Sequence, residues 1–403
     1  MDKEFHKSMN LKSRIPDWVD FFVFSGLISI CSFGFVQKHA GLPGVAGYAI
    51  FVTCALLLVR FVAGKFRPVG KSKSIWLAIA FFVILVGLFL VVYPIENSGG
   101  LGLGSDRDDA LNIGVRSLAR GHYPYYEVTQ FGSPLSPMPG QLLIAAPFVA
   151  LGNCVYQNWL WLAILFLGYV KWFRSYWWSV VLVVVPFLVS PSLLYEWISG
   201  GDLIANGIYL FICMYAAGKV ATNEKSGWIS LLASHVGFGI LMCSRPNAWF
   251  LLPLYGLWVW KKAGFSRSLC LLLITGCTVL ALVLPFYFHD PAHFTPLTTC
   301  DKLSQYNGLV PHASLMVLAL TGLVSLFGGM RVFLAPSGPD ERLLWRWCMA
   351  VLMTPILSTV LLSSLSSHHL DFGVLADRYG VMCLFFGVAG WGACMIHEEA
   401  VAG

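Results

Sequence analysis

Two stretches, SIWLAIAFFVILVGLFLVVY (residues 74–93) and SLCLLLITGCTVLALVLPFYF (268–288), each run for about 20 residues without a charge,. At about 1.5 Å of rise per residue, a helix of that length crosses the roughly 30 Å of bilayer hydrocarbon. Both are apolar on every face, whereas a helix covering a soluble core keeps a polar side. The whole chain follows the same pattern, with 57% hydrophobic residues, only 11% charged residues and a mean hydropathy of +0.73. The expected fold is therefore all-α, a polytopic membrane protein.

Hydropathy and charge predict about 12 transmembrane helices, near 19–36, 44–63, 74–93, 155–170, 176–194, 203–218, 228–243, 247–260, 268–288, 313–329, 347–365 and 379–396,. Lys and Arg of short loops stay on the cytoplasmic side. With the N-terminus inside, 18 of the 26 basic residues fall in cytoplasmic segments, among them Lys65, Arg67, Lys71, Lys73, Lys171, Arg174, Lys261 and Lys262. Both termini are then cytoplasmic. Residues 1–18 read as a cytoplasmic tail, without an h-region or cleavage site, ahead of a single transmembrane domain over 19–403,.

Eleven of the 20 acids then face the outside: Glu96, Asp106, Asp108, Asp109, Glu127, Glu196, Asp202, Asp290, Asp301, Asp371 and Asp377. Most are expected to be solvated or capping residues. Two outer loops are long, 94–154 and 289–312, and long loops in compact folds tend to carry function. The first opens with SGGLGLG (98–104), after which Ser105 or Asp106 can cap a helix with apolar positions Leu111, Val115 and Leu118, ended by Gly121,. Too short and polar to span, this helix is expected at the membrane surface. The proline-punctuated SPLSPMPG leads to QLLIAAPFVALG (141–152), expected as a second interfacial helix. Asp106, Asp108 and Asp109 fit two roles. Carboxylates at a helix start interact well with its dipole, but three crowded together raise at least one pKa, as sites preparing a general base do.

In order along the chain, these elements resemble the GT-C superfamily of glycosyltransferases, polytopic enzymes that use polyprenyl-phosphate-linked sugars, and within it the compact mannosyltransferase-like members. The resemblance rests on Asp106 at the start of the first outer loop, the helix through Arg120, Gly121, HYPYY (122–126) and SPMPGQLLIAAPFVALG (136–152). SRPN (244–247) and ADRYGVM (376–382) add the Arg-containing hairpin and the Arg that opens a late span. Three features depart from the pattern: Arg107 stands where many members have Glu, two spans are expected ahead of the one that feeds the acidic loop, and no large soluble C-terminal domain is expected.

The resemblance implies sugar transfer to an acceptor on the extracytoplasmic side, by inverting single displacement. The acceptor is a glycan, lipid or protein; membrane lipids are the other partners, with no nucleic acid. The expected location is the inner (plasma) membrane of a bacterium. Asp106 is the expected general base, with Asp108 or Asp109 as alternative or as the group that orients the acceptor. Arg378, Arg245 and Lys302 are candidate donor-phosphate ligands, because guanidinium forks and ammonium groups hold phosphate; each is also placed to snorkel toward headgroups. Candidate substrate contacts are Tyr125, Tyr126, Glu127, His312 and His369. The tyrosines either stack on a sugar or anchor the loop at headgroup depth.

No metal site is expected. His289, His293, His312, His368 and His369 lie outside, but neither HHLD (368–371) nor any other run has a ligand spacing such as HExxH,. DRD (106–108) mimics a divalent-metal DxD, so a divalent metal stays an open cofactor with no further support. Eleven scattered Cys without CxxC indicate neither disulfides nor a thiol site, and no Walker A loop is present,. Acids outside the membrane core favour an enzyme over a transporter or flippase, which Arg60 near the cytoplasmic end of the second span and Pro186 within the fifth keep open; an oligosaccharide ligase or polymerase of the same superfamily is a third reading.

Overall fold

A computed structural model describes residues 17–65, 69–98, 106–297, 302–336, 341–373 and 379–391. Arg378, Asp301, Asp377 and the N-terminal tail lie outside the described residues. The described residues are mostly helical and form no β-strand. Its helices are α1 (Asp17–Ile30), α2 (Phe33–Lys65), α3 (Lys71–Asn97), α4 (Arg107–Ala119), α5 (Pro139–Ala150), α6 (Tyr156–Phe173), α7 (Tyr176–Val189) and α8 (Pro191–Ile198). They continue with α9 (Leu203–Thr222), α10 (Trp228–Met242), α11 (Leu251–Ala263), α12 (Phe265–His289), α13 (Ala313–Leu334), α14 (Glu341–Ser367) and α15 (Tyr379–Trp391). Six are long and apolar enough to cross a membrane: α2, α3, α9, α12, α13 and α14. The bent pair α7–α8 makes a seventh if it is one span. The chain is a helical membrane protein.

Span boundaries differ from the hydropathy reading where the backbone is interrupted. The first segment ends at Ile30, and α2 starts at Phe33 and kinks at Gly41, whose φ of 64° lies in the left-handed region, just before Pro43,. Residues 176–194, read as one span, turn by 93° between α7 and α8. Pro191 causes the turn: the residue before proline is driven out of the α region, and Ser190 sits at φ −118°, ψ 97°,. Ser190 then caps α8, its Oγ accepting from the Leu193 amide at 3.2 Å,. Ser32 Oγ lies 3.0 Å from Ser190 Oγ and accepts from the Ser192 amide at 3.3 Å, tying the α1–α2 break to this bend.

Helix burial sorts by position in the bundle. Side chains of α2 and α3, such as Phe51, Leu58, Trp76, Val83 and Val91, are exposed, as apolar lipid-facing surface would be,. By contrast α9 and α15 are the interior. Ile204, Ile208, Leu210, Met382, Leu384 and Phe386 are buried there, and an added Cβ on Gly207 would meet the Met382 carbonyl at 2.7 Å, so only glycine permits this approach. Around this centre α6, α10 and α11 pack on α9, α12 on α10 and α11, and α13 on α11 and α14.

The two ends of the bundle differ. Lys219 in the last turn of α9 pairs with Glu341 at the start of α14 (2.7 Å), as does Lys262 at the end of α11 (3.5 Å). Asp202 lies at the opposite end of α9, ~25 Å away at 1.5 Å per residue,. Near it gather α4, α5, α8, the α10–α11 hairpin and the start of α15.

Candidate functional site

The end of the bundle near Asp202 is held together by a buried ionic cluster built from five separate elements. Asp202 stands before α9, after the turn Ser199-Gly200-Gly201. Its Oδ2 accepts from Arg245 Nη2 in the α10–α11 hairpin and from Gln141 Nε2 in the first turn of α5. Arg107, the first residue of α4, places Nη1 3.9 Å from Asp202 Oδ1 and 3.2 Å from Glu196 Oε1 on α8. That Glu196 oxygen also accepts from the Leu203 amide at 3.2 Å. The Arg107 guanidinium lies over the Tyr379 ring at 5.3 Å, a cation–π contact that brings in α15,. Burial raises the Asp202 carboxyl, but Arg245 and then Arg107 outweigh it and hold it below the usual range,.

Two arginines and two carboxylates balance in charge, and the glycines before Asp202 make room for them. An added Cβ on Gly201 would fall 2.1 Å from the Glu196 carboxyl carbon. Several buried polar atoms around Asp202 have no hydrogen-bond partner in the protein: Gln141 Oε1, Asn206 Oδ1, Arg245 Nε and Asn247 Oδ1. Each unmet group costs about 1–3 kcal/mol, so the concentration marks a place suited to water or a polar ligand.

Arg245 also lines a cavity of ≈ 120 Å³. Its polar lining residues are Ser136, Arg245, Asn247, Thr359 and Tyr379, and its apolar ones include Phe250, Leu303, Val317 and Ile356. Ser136 Oγ accepts from Arg245 Nη1 at 3.1 Å. With Nη1 on Ser136 and Nη2 on Asp202, the Nε–H is a donor without an acceptor. A cavity lined mainly by apolar side chains, with one guanidinium among them, suits an amphiphile whose anionic group is small.

The three acids of the first loop take three different environments. Asp106, partly exposed at the start of α4, accepts from Thr129 Oγ1 at 2.9 Å and makes no side-chain cap bond. Asp108 is buried; its Oδ2 accepts from Tyr93 at 2.5 Å and its Oδ1 has no partner. Burial raises its pKa to about 7, with Asp109 adding and the Tyr93 bond opposing. Asp109 is partly exposed, and burial and then Asp106 raise it, while Arg116 lowers it. Asp108 belongs to a network that fixes the loop: Tyr93 accepts from Asn153 at 2.9 Å, and Asn112 donates to Asn153 at 2.9 Å.

Of the sequence candidates, Asp106 and Arg245 come into the same neighbourhood. Asp106 precedes Arg107 of the cluster, and Thr129 and Ser136, which bind Asp106 and Arg245, share one loop. Lys302 is exposed, directly before the cavity residue Leu303. Arg378 lies outside the described residues; its chain neighbour Tyr379 lines the cavity. Tyr125 is buried and donates to the Pro137 carbonyl at 3.0 Å. Tyr126 donates to Asp290 at 3.1 Å, and Tyr123 to the Phe286 carbonyl at 2.9 Å, so the tyrosines clamp the loop to the end of α12. Glu127 accepts from Ser117 at 3.4 Å. His312, with φ 57°, and His369, whose Nδ1 is 2.9 Å from the Ser367 carbonyl, are exposed and line no part of the cavity. No group of three or more His, Cys, Asp or Glu suited to a metal occurs among the described residues.

Sequence reasoning did not select Arg107, Gln141, Glu196 or Asp202 as site residues. The available signal was SGGD (199–202), two glycines ahead of an acid at a span start, and Arg107 itself, a basic residue within an acidic run. No family model, curated protein or solved structure matches the chain.

Proposed function

We propose that this protein is an integral-membrane glycosyltransferase of GT-C type, with about twelve spans and both termini cytoplasmic. It moves a sugar from a polyprenyl-phosphate donor to an acceptor on the extracytoplasmic side. The observation that carries the reading is Arg245: a buried guanidinium with an unused Nε–H, lining a largely apolar cavity. Such a cavity complements a phosphate attached to an isoprenoid chain, the phosphate on Arg245 and the first isoprene units against Phe250, Val317 and Ile356.

Chemistry follows from the acids. Asp106 is partly exposed and so open to an acceptor, whereas Asp108 is buried, bound to Tyr93, and serves the loop's architecture. In the transfer, Asp106 takes the proton of the acceptor hydroxyl as its oxygen bonds to the anomeric carbon. The bond from that carbon to the phosphate oxygen breaks, and polyprenyl phosphate leaves with the electron pair, inverting the anomeric centre. Arg245 stabilises the charge on the departing phosphate. Asp202 holds Arg245 in place, and Arg107 shares the load of that carboxylate.

Purified protein with a short-chain polyprenyl-phosphate sugar tests the reading. Release of polyprenyl phosphate that disappears in Asp106→Asn supports it; absence of release across sugar donors overturns it. The 93° break between α7 and α8 favours a second reading, since transporters place substrate at discontinuous helices,. Movement of substrate across sealed vesicles without turnover would select that alternative.

A further inference from the structure

At the end of the bundle away from Asp202, α2, α3 and α7 enclose an apolar groove of ≈ 510 Å³. Its walls are Leu58, Val59 and Val62 of α2, the stretch from Leu77 to Ile84 of α3, and Trp177 to Val185 of α7. The groove exists because α3 packs on α7 and α8, while α2 packs on α1. It continues inward, sharing Val59, Val181 and Val185 with a smaller apolar pocket that reaches Phe24 and Val388. Apolar walls this extensive suit hydrocarbon.

Charge at the rim identifies what the hydrocarbon belongs to. Lys71 and Lys73, exposed in the first turn of α3, lie within two turns of Leu77, and Lys71 Nζ sits 5.1 Å from the ring centre of Tyr176, next to the groove residue Trp177. Lys171, exposed at the end of α6, adds a third ammonium on the segment leading into α7. No Asp or Glu occurs between residues 21 and 95 or between 128 and 195, so the elements forming the groove and its rim supply no local counter-charge. The nearest acid on α3 is Glu96 at its other end, ~35 Å from Lys71,. Elsewhere at this end of the bundle are Asp17 and Asp20, at the start of α1 and outside the groove's own elements, and Glu341, which is engaged by Lys219 and Lys262.

We infer that this groove is a binding site for an anionic glycerophospholipid, with an acyl chain against Leu58, Phe81 and Val181 and the phosphate at Lys71, Lys73 and Lys171. Basic clusters beside spans attract anionic headgroups, and a built groove beneath them converts that attraction into a defined site. The site is independent of the chemistry near Asp106 and requires only that α2, α3 and α7 face lipid.

The test is thermal unfolding of the full-length protein in neutral detergent, titrated with phosphatidylglycerol or with phosphatidylcholine of the same chains. Phosphatidylglycerol is expected to raise the midpoint saturably, and phosphatidylcholine to do so only at much higher concentration. Lys71→Gln/Lys73→Gln should weaken the phosphatidylglycerol effect roughly 10-fold or more. Ala80→Trp, which fills the groove, should abolish it. Equal response to both lipids, or retention of the effect in both variants, overturns the assignment. If either variant fails to fold, photo-crosslinking of the unsubstituted protein in vesicles with diazirine-chain phosphatidylglycerol decides. Label is expected in 58–62, 77–84 or 177–185, and label confined to other segments overturns the site.

Discussion

Arg245 and Asp202, 43 residues apart, form an ion pair in which both side chains are almost wholly withdrawn from solvent. The pair joins the α10–α11 hairpin to the start of α9, and through Gln141 and Arg107 it reaches α5 and α4. A buried pair is costly to break from one side, because the remaining charge has no water to receive it. Its position at the rim of an apolar cavity makes it both a structural clamp and a holder of the arginine that faces that cavity.

Asp202→Ala leaves Arg245 and Arg107 with only Glu196 against them. Destabilisation of about 3–5 kcal/mol is expected, seen as a lower unfolding midpoint in detergent. Asp202→Leu/Arg245→Met, which removes both charges of the pair, should recover much of that loss while losing any function of Arg245. If Asp202→Ala unfolds at the same temperature as the unsubstituted protein, the cluster is not a clamp.

Asp108 predicts a pH dependence of stability. Its folded pKa of about 7 lies above the ordinary carboxylate value of 3.8. Between those values the folded state holds more proton than the unfolded one, so stability is full below about pH 4, falls as pH rises toward 7 and levels off above it. The displacement corresponds to at most about 4 kcal/mol. Asp108→Asn, which resembles the protonated acid and still accepts from Tyr93, should flatten this slope and unfold at a higher temperature than the parent at pH 8. An unchanged slope in the variant would assign the dependence to other groups.

Much of the helical architecture is legible in the sequence because a charge-free run of 20 residues has few physical alternatives. The stretches 74–93 and 268–288 lie inside α3 and α12. Breaks inside apolar runs are harder to see. Pro191 and the break at Cys31 and Ser32 interrupt the segments 176–194 and 19–36 that hydropathy alone reads as continuous, since hydropathy averages over the residues that bend the backbone. The ionic cluster is harder still. Arg107, Gln141, Glu196, Asp202 and Arg245 are scattered over more than a hundred residues, and each alone reads as a cap, a loop residue or a headgroup anchor. Only the packing of α4, α5, α8, α9 and the hairpin selects them as a set, whereas Asp108, which clusters with Asp106 in sequence, turns away to Tyr93.

Asp106 and Arg245 should separate kinetically under the proposed function. Asp106→Asn is expected to lower kcat by roughly 10²–10⁴ with folding intact, as removal of a general base does. Arg245→Lys keeps a positive charge but loses the planar fork, so weaker donor binding and a higher KM are expected, with a smaller change in kcat. Lys302→Ala, at an exposed position, should change neither by more than about twofold. Full activity in Asp106→Asn with loss in Asp109→Asn would move the base to the next accessible acid along α4.

Gly201 tests whether the cluster's geometry depends on the turn that precedes Asp202. A methyl there would overlap the Glu196 carboxylate, which is already engaged by Arg107 and the Leu203 amide and has no slack to move without breaking one of them. Gly201→Ala is therefore expected to cost about 1–3 kcal/mol, as overpacking does. Because relief comes from shortening the acid, Gly201→Ala/Glu196→Asp should regain part of the lost stability even though Glu196→Asp alone weakens the contact with Arg107. Additive effects of the two substitutions in thermal unfolding would show that the methyl and the carboxylate do not compete for the same space.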